Sequence, residues 1–211
     1  MTQHPPEIDR YIRRQLPDLH GKHVLDVGCG RGGIGFLLRT QPGGDAAHIL
    51  GVDVHEPYLE FCARFGLYDE LIHGDAATLR FGQFDVVTAC EVVEHIQADK
   101  SAALLDRLEQ IAKERIIVST PNGDNRRGPV GGVESEAHIS IWTPSWFKRR
   151  GYQVRGRRKP MVSLRSSRPD QDGALVRDHP FGNPISLVCG HSRRFQGGPR
   201  GFSMTSLGGF G

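Results

Sequence analysis

Four glycines in six positions, Gly28, Gly30, Gly32 and Gly33, follow an apolar run that carries one carboxylate, Asp26. Glycines without a Cβ let backbone amides come close to a bound molecule. Ile34, Leu37 and Leu38 then recur at helical spacing, so a helix begins beside the glycines with its free N–H groups facing the same crevice. That is the anatomy of a nucleotide-type pocket. A second constellation is Glu91-Val92-Val93-Glu94-His95. If this segment is helical, Glu91, Glu94 and His95 share one face. Two carboxylates and an imidazole on one face invite a divalent cation such as magnesium, with His138 as a distant fourth ligand. The alternatives are that Glu94 and His95 cap and orient the following helix, or that Glu91 or His95 serves as a general base without metal.

The glycines leave two nucleotide chemistries open. Gly28, Gly30 and Gly33 satisfy G-x-G-x-x-G, and Asp53 lies about 20 residues on, as in NAD(P)-binding proteins. Asp26 tilts the choice the other way. A carboxylate at the strand end suits a ligand with an ammonium group and would repel a pyrophosphate, and S-adenosylmethionine has that ammonium and also a sulfonium.

Four landmarks follow one another in order: Asp26-Val27-Gly28-Cys29-Gly30-Arg31-Gly32, Gly51-Val52-Asp53, His73-Gly74-Asp75-Ala76, and the run from Phe84 through Cys90 to His95. Together, over residues 21–154, they resemble the class I S-adenosylmethionine-dependent methyltransferases. The resemblance implies Asp26 for the methionine ammonium, Gly28, Gly30 and Gly32 for close backbone approach, Asp53 for the ribose, Asp75 and Ala76 for adenine, and Cys90 at the pocket wall. The acceptor region is similar to two branches. Ubiquinone-biosynthesis O-methyltransferases carry E-x-x-E-H, read there as a magnesium site. Small-RNA 3'-terminal 2'-O-methyltransferases add a T-P-N run and an H-x-x-x-W-T-x-x-x-F that His138 to Phe147 matches, but their second distal histidine is missing here. The resemblance therefore implies Glu91, His95 and His138 as catalytic candidates, and Glu91, Glu94, His95 and His138 as metal candidates.

The elements that must position these residues alternate. Ile8, Tyr11, Ile12 and Leu16 mark a leading helix, which would cap the cofactor pocket or simply pack. Strands are expected at 24–27, 48–52, 71–73, 84–90 and 115–119, with helices between them; Tyr58, Phe61, Cys62 and Phe65 mark one buried face, and Leu104, Leu105, Leu108 and Ile111 another, with Asp106, Arg107 and Glu109 turned to water. Residues 122–136 read as a loop over the strand ends. Thr143 and Pro144 open a helix as N-cap and first residue. A sixth strand over 151–155 follows, and 185–189 offers an antiparallel seventh. The fold class is thus a Rossmann-like, doubly wound α/β sheet, mainly parallel and seven-stranded, with helices on both faces. Its divisions are 1–20 for the helical cap, 21–158 for the methyltransferase domain and 159–211 for a basic, glycine-rich, partly disordered segment.

The 211 residues suit one domain. A formal net charge of +3 does not announce a nucleic-acid binder. Basic residues cluster at Lys148 to Arg150 and Arg155 to Lys159, without interleaved aromatics, which reads as a solvated face rather than a strand-binding platform. Cys29, Cys62, Cys90 and Cys189 lack C-x-x-C spacing and read as reduced, in keeping with a cytoplasmic protein. No run approaches the ~20 apolar residues of a membrane span. The expected function is transfer of the S-adenosylmethionine methyl group to oxygen of a small hydroxylated acceptor. RNA 2'-O-methylation with a bound metal, NAD(P) binding, and a non-catalytic cofactor-binding subunit are the alternatives.

Overall fold

A computed structural model describes residues 6–155 and 186–192. Helix α1 (Pro6–Gln15) precedes strand β1 (His23–Val27), α2 (Gly33–Arg39), β2 (His48–Asp53), α3 (Glu56–Phe65) and β3 (Glu70–His73). Then come β4 (Phe84–Cys90), a 3₁₀ turn (Val93–His95), α4 (Ala98–Ile111), β5 (Ala112–Pro121), α5 (Pro144–Arg149), β6 (Gln153–Arg155) and β7 (Ser186–Ser192). The strands are ordered β3-β2-β1-β4-β5-β7-β6. β1 to β5 pair in parallel, whereas β7 runs antiparallel to both β5 and β6. This is a Rossmann-like α/β fold on a mainly parallel sheet. The expected division at 159–211 falls mostly outside the described residues.

Period-two alternation sorts the strand residues between two cores. Leu25, Val27, Leu50, Val52, Val87 and Ala89 face the layer built by α4 and α5, with Leu104, Leu105, Leu108 and Phe147. Val24, Ile49, Val86 and Cys90 face the layer of α1, α2 and α3, with Ile8, Ile12, Leu37, Leu38 and Leu59. Asp26 falls between Leu25 and Val27, so the alternation turns it toward α2 and α3 and away from α4.

Two helix faces differ from expectation. In α3 the buried residues are Leu59 and Cys62, while Phe61 is 36% and Phe65 61% exposed. The phenylalanines, one turn apart, satisfy each other with ring centroids 4.8 Å apart. In α4, Arg107 and Glu109 are not simply solvated. Arg107 donates to the carbonyls of Ala76, Ala77 and Leu79, and Glu109 accepts from Arg150 and Tyr152. α1 places Ile8 and Ile12 in the core beside α2, and no described residue of it lines the main cavity. Its described apolar residues pack against the sheet. α5 starts as its sequence dictates, with the Thr143 hydroxyl accepting from Trp146 N–H and Pro144 at the first position.

Candidate functional site

The carboxyl ends of β1, β2 and β4 enclose a cavity of about 260 Å³. At such an edge an open α/β sheet has only loops and strand ends to contact a ligand. β1 enters it through a turn in which Gly28, Gly30 and Gly32 have φ of 66°, 52° and 80°, values that favour glycine. The N–H groups of Gly28 and Cys29 both donate to Val52 O, so β2 fixes the turn. A Cβ on Gly28 would lie 2.4 Å from Val92 Cγ2, whereas one on Gly30 would meet no protein atom nearer than 4.0 Å, which leaves the space above Gly30 open. Asp53, at the end of β2, accepts from Gly30 N–H at 2.8 Å and His55 N–H at 2.8 Å. Turn and carboxylate are thus one unit.

Gly28, Gly30, Asp53, Asp75, Ala76, Cys90, Glu91 and His95 all line this cavity. Four other expected residues do not. Asp26 is 1% exposed, and its two oxygens are taken by Thr88 Oγ1 and Tyr68 Oη, each 2.7 Å away. The strand register sets Thr88 beside it, and Gly51 on its other side leaves room for the Tyr68 ring. Burial, only partly offset by those hydroxyls, raises the Asp26 carboxyl to about 7. It braces the turn from below and does not face a ligand's ammonium. Gly32 is the N-cap of α2, and a Cβ there would strike Leu67 and Cys62, so its glycine serves packing. Glu94 and His138 are also away from the cavity wall.

The helix expected over Glu91 to His95 does not form. Glu91 has φ 56°, a conformation rare for a non-glycine residue and found disproportionately at functional sites. The chain therefore swings sharply off β4, and the three side chains share no helical face. Glu91 accepts from Ser119 Oγ at 2.9 Å at the cavity wall. Glu94 turns into the core, where Oε2 accepts from Thr120 Oγ1 at 2.9 Å and Oε1 is buried without a hydrogen-bond partner. Burial and the neighbouring Glu91 charge hold its carboxyl well above the usual range. It does not cap α4, whose N-cap is Gln97.

His95 N–H at Nδ1 donates to Ala137 O at 3.0 Å, the assignment the carbonyl requires, which leaves a lone pair on Nε2. Burial lowers its pKa, so the ring is neutral at pH 7. His138 is 5% exposed and stands edge-on to His95 with centroids 4.7 Å apart. Its Nε2 accepts from Arg127 at 2.8 Å, and burial, with His95 and Arg127 beside it, lowers it to about 4. Glu94, His95 and His138 bring ligand atoms within 4.8 Å of one another; Glu91 is outside that group.

Sequence reasoning missed the far wall. Tyr58 and Glu136 both line the cavity, and Tyr58 Oη donates to Glu136 Oε1 at 3.0 Å. Glu136 sits at the end of the 122–136 loop, where no motif marks it. Of the basic cluster, Arg150 is engaged by Asp106 and Glu109 and lies over the Trp146 ring at 4.9 Å. Residues 156–159 lie outside the described residues. The three described cysteines, Cys29, Cys62 and Cys90, are free and buried.

A glycine turn bound to an acidic residue at the end of the next strand, on this sheet, defines a nucleoside-type binding domain, and residues 24–115 match the family model described as a methyltransferase domain. Over these residues the chain is similar to S-adenosylmethionine-dependent methyltransferases in sequence and in fold. The chain is 39% identical over 95 residues to the ubiquinone biosynthesis O-methyltransferase of Thiobacillus denitrificans, covering 41% of this chain and 38% of that protein. It is 33% identical over 195 residues to the nocamycin O-methyltransferase of Saccharothrix syringae, covering 86% of this chain and 63% of that one. These matches span less than two thirds of the relatives' own length. Among solved structures, magnesium protoporphyrin IX methyltransferase from Synechocystis PCC 6803 with bound S-adenosylmethionine shares the fold, with a TM-score of 0.56, 18% identity and coverage of 89% of this chain and 79% of that one.

Proposed function

We propose that this protein transfers the methyl group of S-adenosylmethionine to an oxygen of a small hydroxylated acceptor. The observation that carries the reading is the single cavity along which the glycine turn, Asp53, Asp75 with Ala76, and then Glu91 with His95 succeed one another. The open space over Gly30 fits a ligand against the backbone, Asp53 would accept from ribose hydroxyls, and Asp75 with Ala76 would meet adenine. When bound, the cofactor supplies a methyl group already activated on a sulfonium. The chain's own work is then alignment and proton removal. His95 Nε2, its ring held by Ala137, takes the acceptor hydroxyl proton, and Glu91 supports the charge that develops. Val27, Val52, Ile96 and Leu104 keep water from the reacting atoms.

One observation favours a second reading, in which a divalent cation assists. The buried orphan oxygen of Glu94 and the Nε2 lone pair of His95 suit such an ion, with His138 beside them. Arg127 stands on His138 Nε2, so the fit is complete only when that guanidinium moves off. Such an ion would add Lewis-acid polarisation of the acceptor oxygen. Adenosylhomocysteine formation with hydroxylated acceptors tests both readings. Product in excess chelator supports the metal-free reading. Product only after magnesium or manganese is restored supports the second, and none with any acceptor rejects the function.

We also infer that residues 21–158 are the methyltransferase domain, that its sheet is the seven-stranded one of its class, and that it works in the cytoplasm. Among the described residues no helix is long and apolar enough to cross a membrane. The engagement of Arg150 and the absence of a second distal histidine weigh against RNA as acceptor.

A further inference from the structure

We infer that the acceptor end of the cleft selects for hydroxylated acceptors carrying a protonated amine and against those carrying a carboxylate or phosphate. The inference rests on the methyl-transfer reading of the same cavity and deepens it. Among the described residues that line the cavity there are four carboxylates, Asp53, Asp75, Glu91 and Glu136, and no lysine or arginine. Asp53 and Asp75 are committed to the nucleoside end, where backbone N–H groups of the glycine turn, His55 and Ala77 hold them. Glu91 and Glu136 are left at the acceptor end, one delivered by β4 and the other by the loop that closes over it.

The cations near this wall weaken its negative field without lining it. Arg31 lies over the Tyr58 ring, 5.2 Å from its centroid, and Arg127 donates to His138 Nε2; both keep their charge, but neither lines the cavity. The one basic side chain that does, His95, has Nδ1 tied to Ala137 O. Val92, Ile96 and Leu104 complete the wall, and low-dielectric surroundings strengthen the field of the carboxylates they frame. The sulfonium cofactor brings a single net positive charge, fewer than the acids around it. A second anion here would meet two carboxylates and no lysine or arginine on the wall, while an ammonium would meet both.

The test uses the full chain, chelator-treated and loaded with adenosylhomocysteine, which has no sulfonium. Three catechols with one ring and different charge, 3,4-dihydroxybenzylamine, 3,4-dihydroxybenzyl alcohol and 3,4-dihydroxybenzoate, are titrated by calorimetry. The amine is expected to bind about tenfold more tightly than the acid, with the alcohol between them. High salt and Glu136→Gln should each narrow that gap, because both weaken the same field. An acid that binds as tightly as the amine, or no binding by any of the three, overturns the inference and leaves the cofactor assignment standing. Failure of adenosylhomocysteine to bind at all removes the methyl-transfer reading beneath it.

Discussion

His95 is where local chemistry and proposed function meet most closely. Its Nδ1 is occupied, its Nε2 accepts no hydrogen bond and stands 4.0 Å from Glu94 Oε1, and burial has lowered its pKa, so it is a base already deprotonated at neutral pH. Activity should therefore fall as pH drops through a value below the ordinary 6.5 and stay level above it, since only the unprotonated ring accepts a proton. His95→Gln should lower kcat about 10²-fold and abolish that acid limb, as read from kcat against pH with cofactor saturating. A limb that survives in the variant would assign it to another group. Asp26 teaches the opposite lesson. A carboxylate two residues before a glycine turn looks like a ligand contact, yet strand alternation carries it to the covered face, where Thr88 and Tyr68 meet it. The charge argument against a pyrophosphate ligand loses its basis with that burial. The match of residues 24–115 to a methyltransferase-domain model now favours the methyl-transfer reading over a dinucleotide-binding one.

At the scale of elements, the glycine turn is the most constrained piece of the chain. Gly28→Ala would force an L residue to φ 66° and drive its Cβ into Val92, 2.4 Å away. A loss of about 3 kcal/mol in urea unfolding is expected, the sum of left-handed strain and overpacking. Val92→Ala in the same chain should return only part of it, because the clash is relieved and the strain is not; full recovery would show that φ costs nothing. The elements themselves were legible where a pattern was strong. The β4 bounds, the α5 cap and the run of alternating strands and helices follow directly from apolar period and capping residues. Three things were not. The stripe on α3 was misread because Phe61 and Phe65 pair with each other on the surface, leaving burial to Leu59 and Cys62. Arg107 looked solvated because a sequence shows charge but not the three carbonyls it reaches. The segment after β4 looked helical because i, i+3 and i+4 spacing says nothing of a left-handed Glu91 that redirects the chain.

Across the whole molecule, the buried carboxyl of Asp26 ties stability to pH. An aspartate unfolds to an ordinary value near 3.8 but holds its proton to about 7 when folded. Between those limits the native state binds more protons than the unfolded one, so stability falls as pH rises from about 4 to about 7 and this contribution levels off above. Three units bound the effect at roughly 4 kcal/mol. Asp26→Asn should lose that slope, so its urea midpoint gains on the wild type between pH 4.5 and 7.5; parallel profiles would show that Asp26 titrates normally. The same scale sets what the sequence could say of function. Cofactor landmarks lie on strand ends whose order is visible in the chain, whereas the acceptor wall joins Glu91, Tyr58 and Glu136, brought together only by folding.

The central claim is that the cavity at the ends of β1, β2 and β4 holds the cofactor with its reactive end toward Glu91 and His95. A crystal structure of the protein with adenosylhomocysteine measures this directly. Ribose hydroxyls are expected on Asp53, adenine beside Asp75 and Ala76, and the sulfur facing Glu91 and His95. A ligand seated elsewhere, or one whose sulfur faces Asp75, would contradict it.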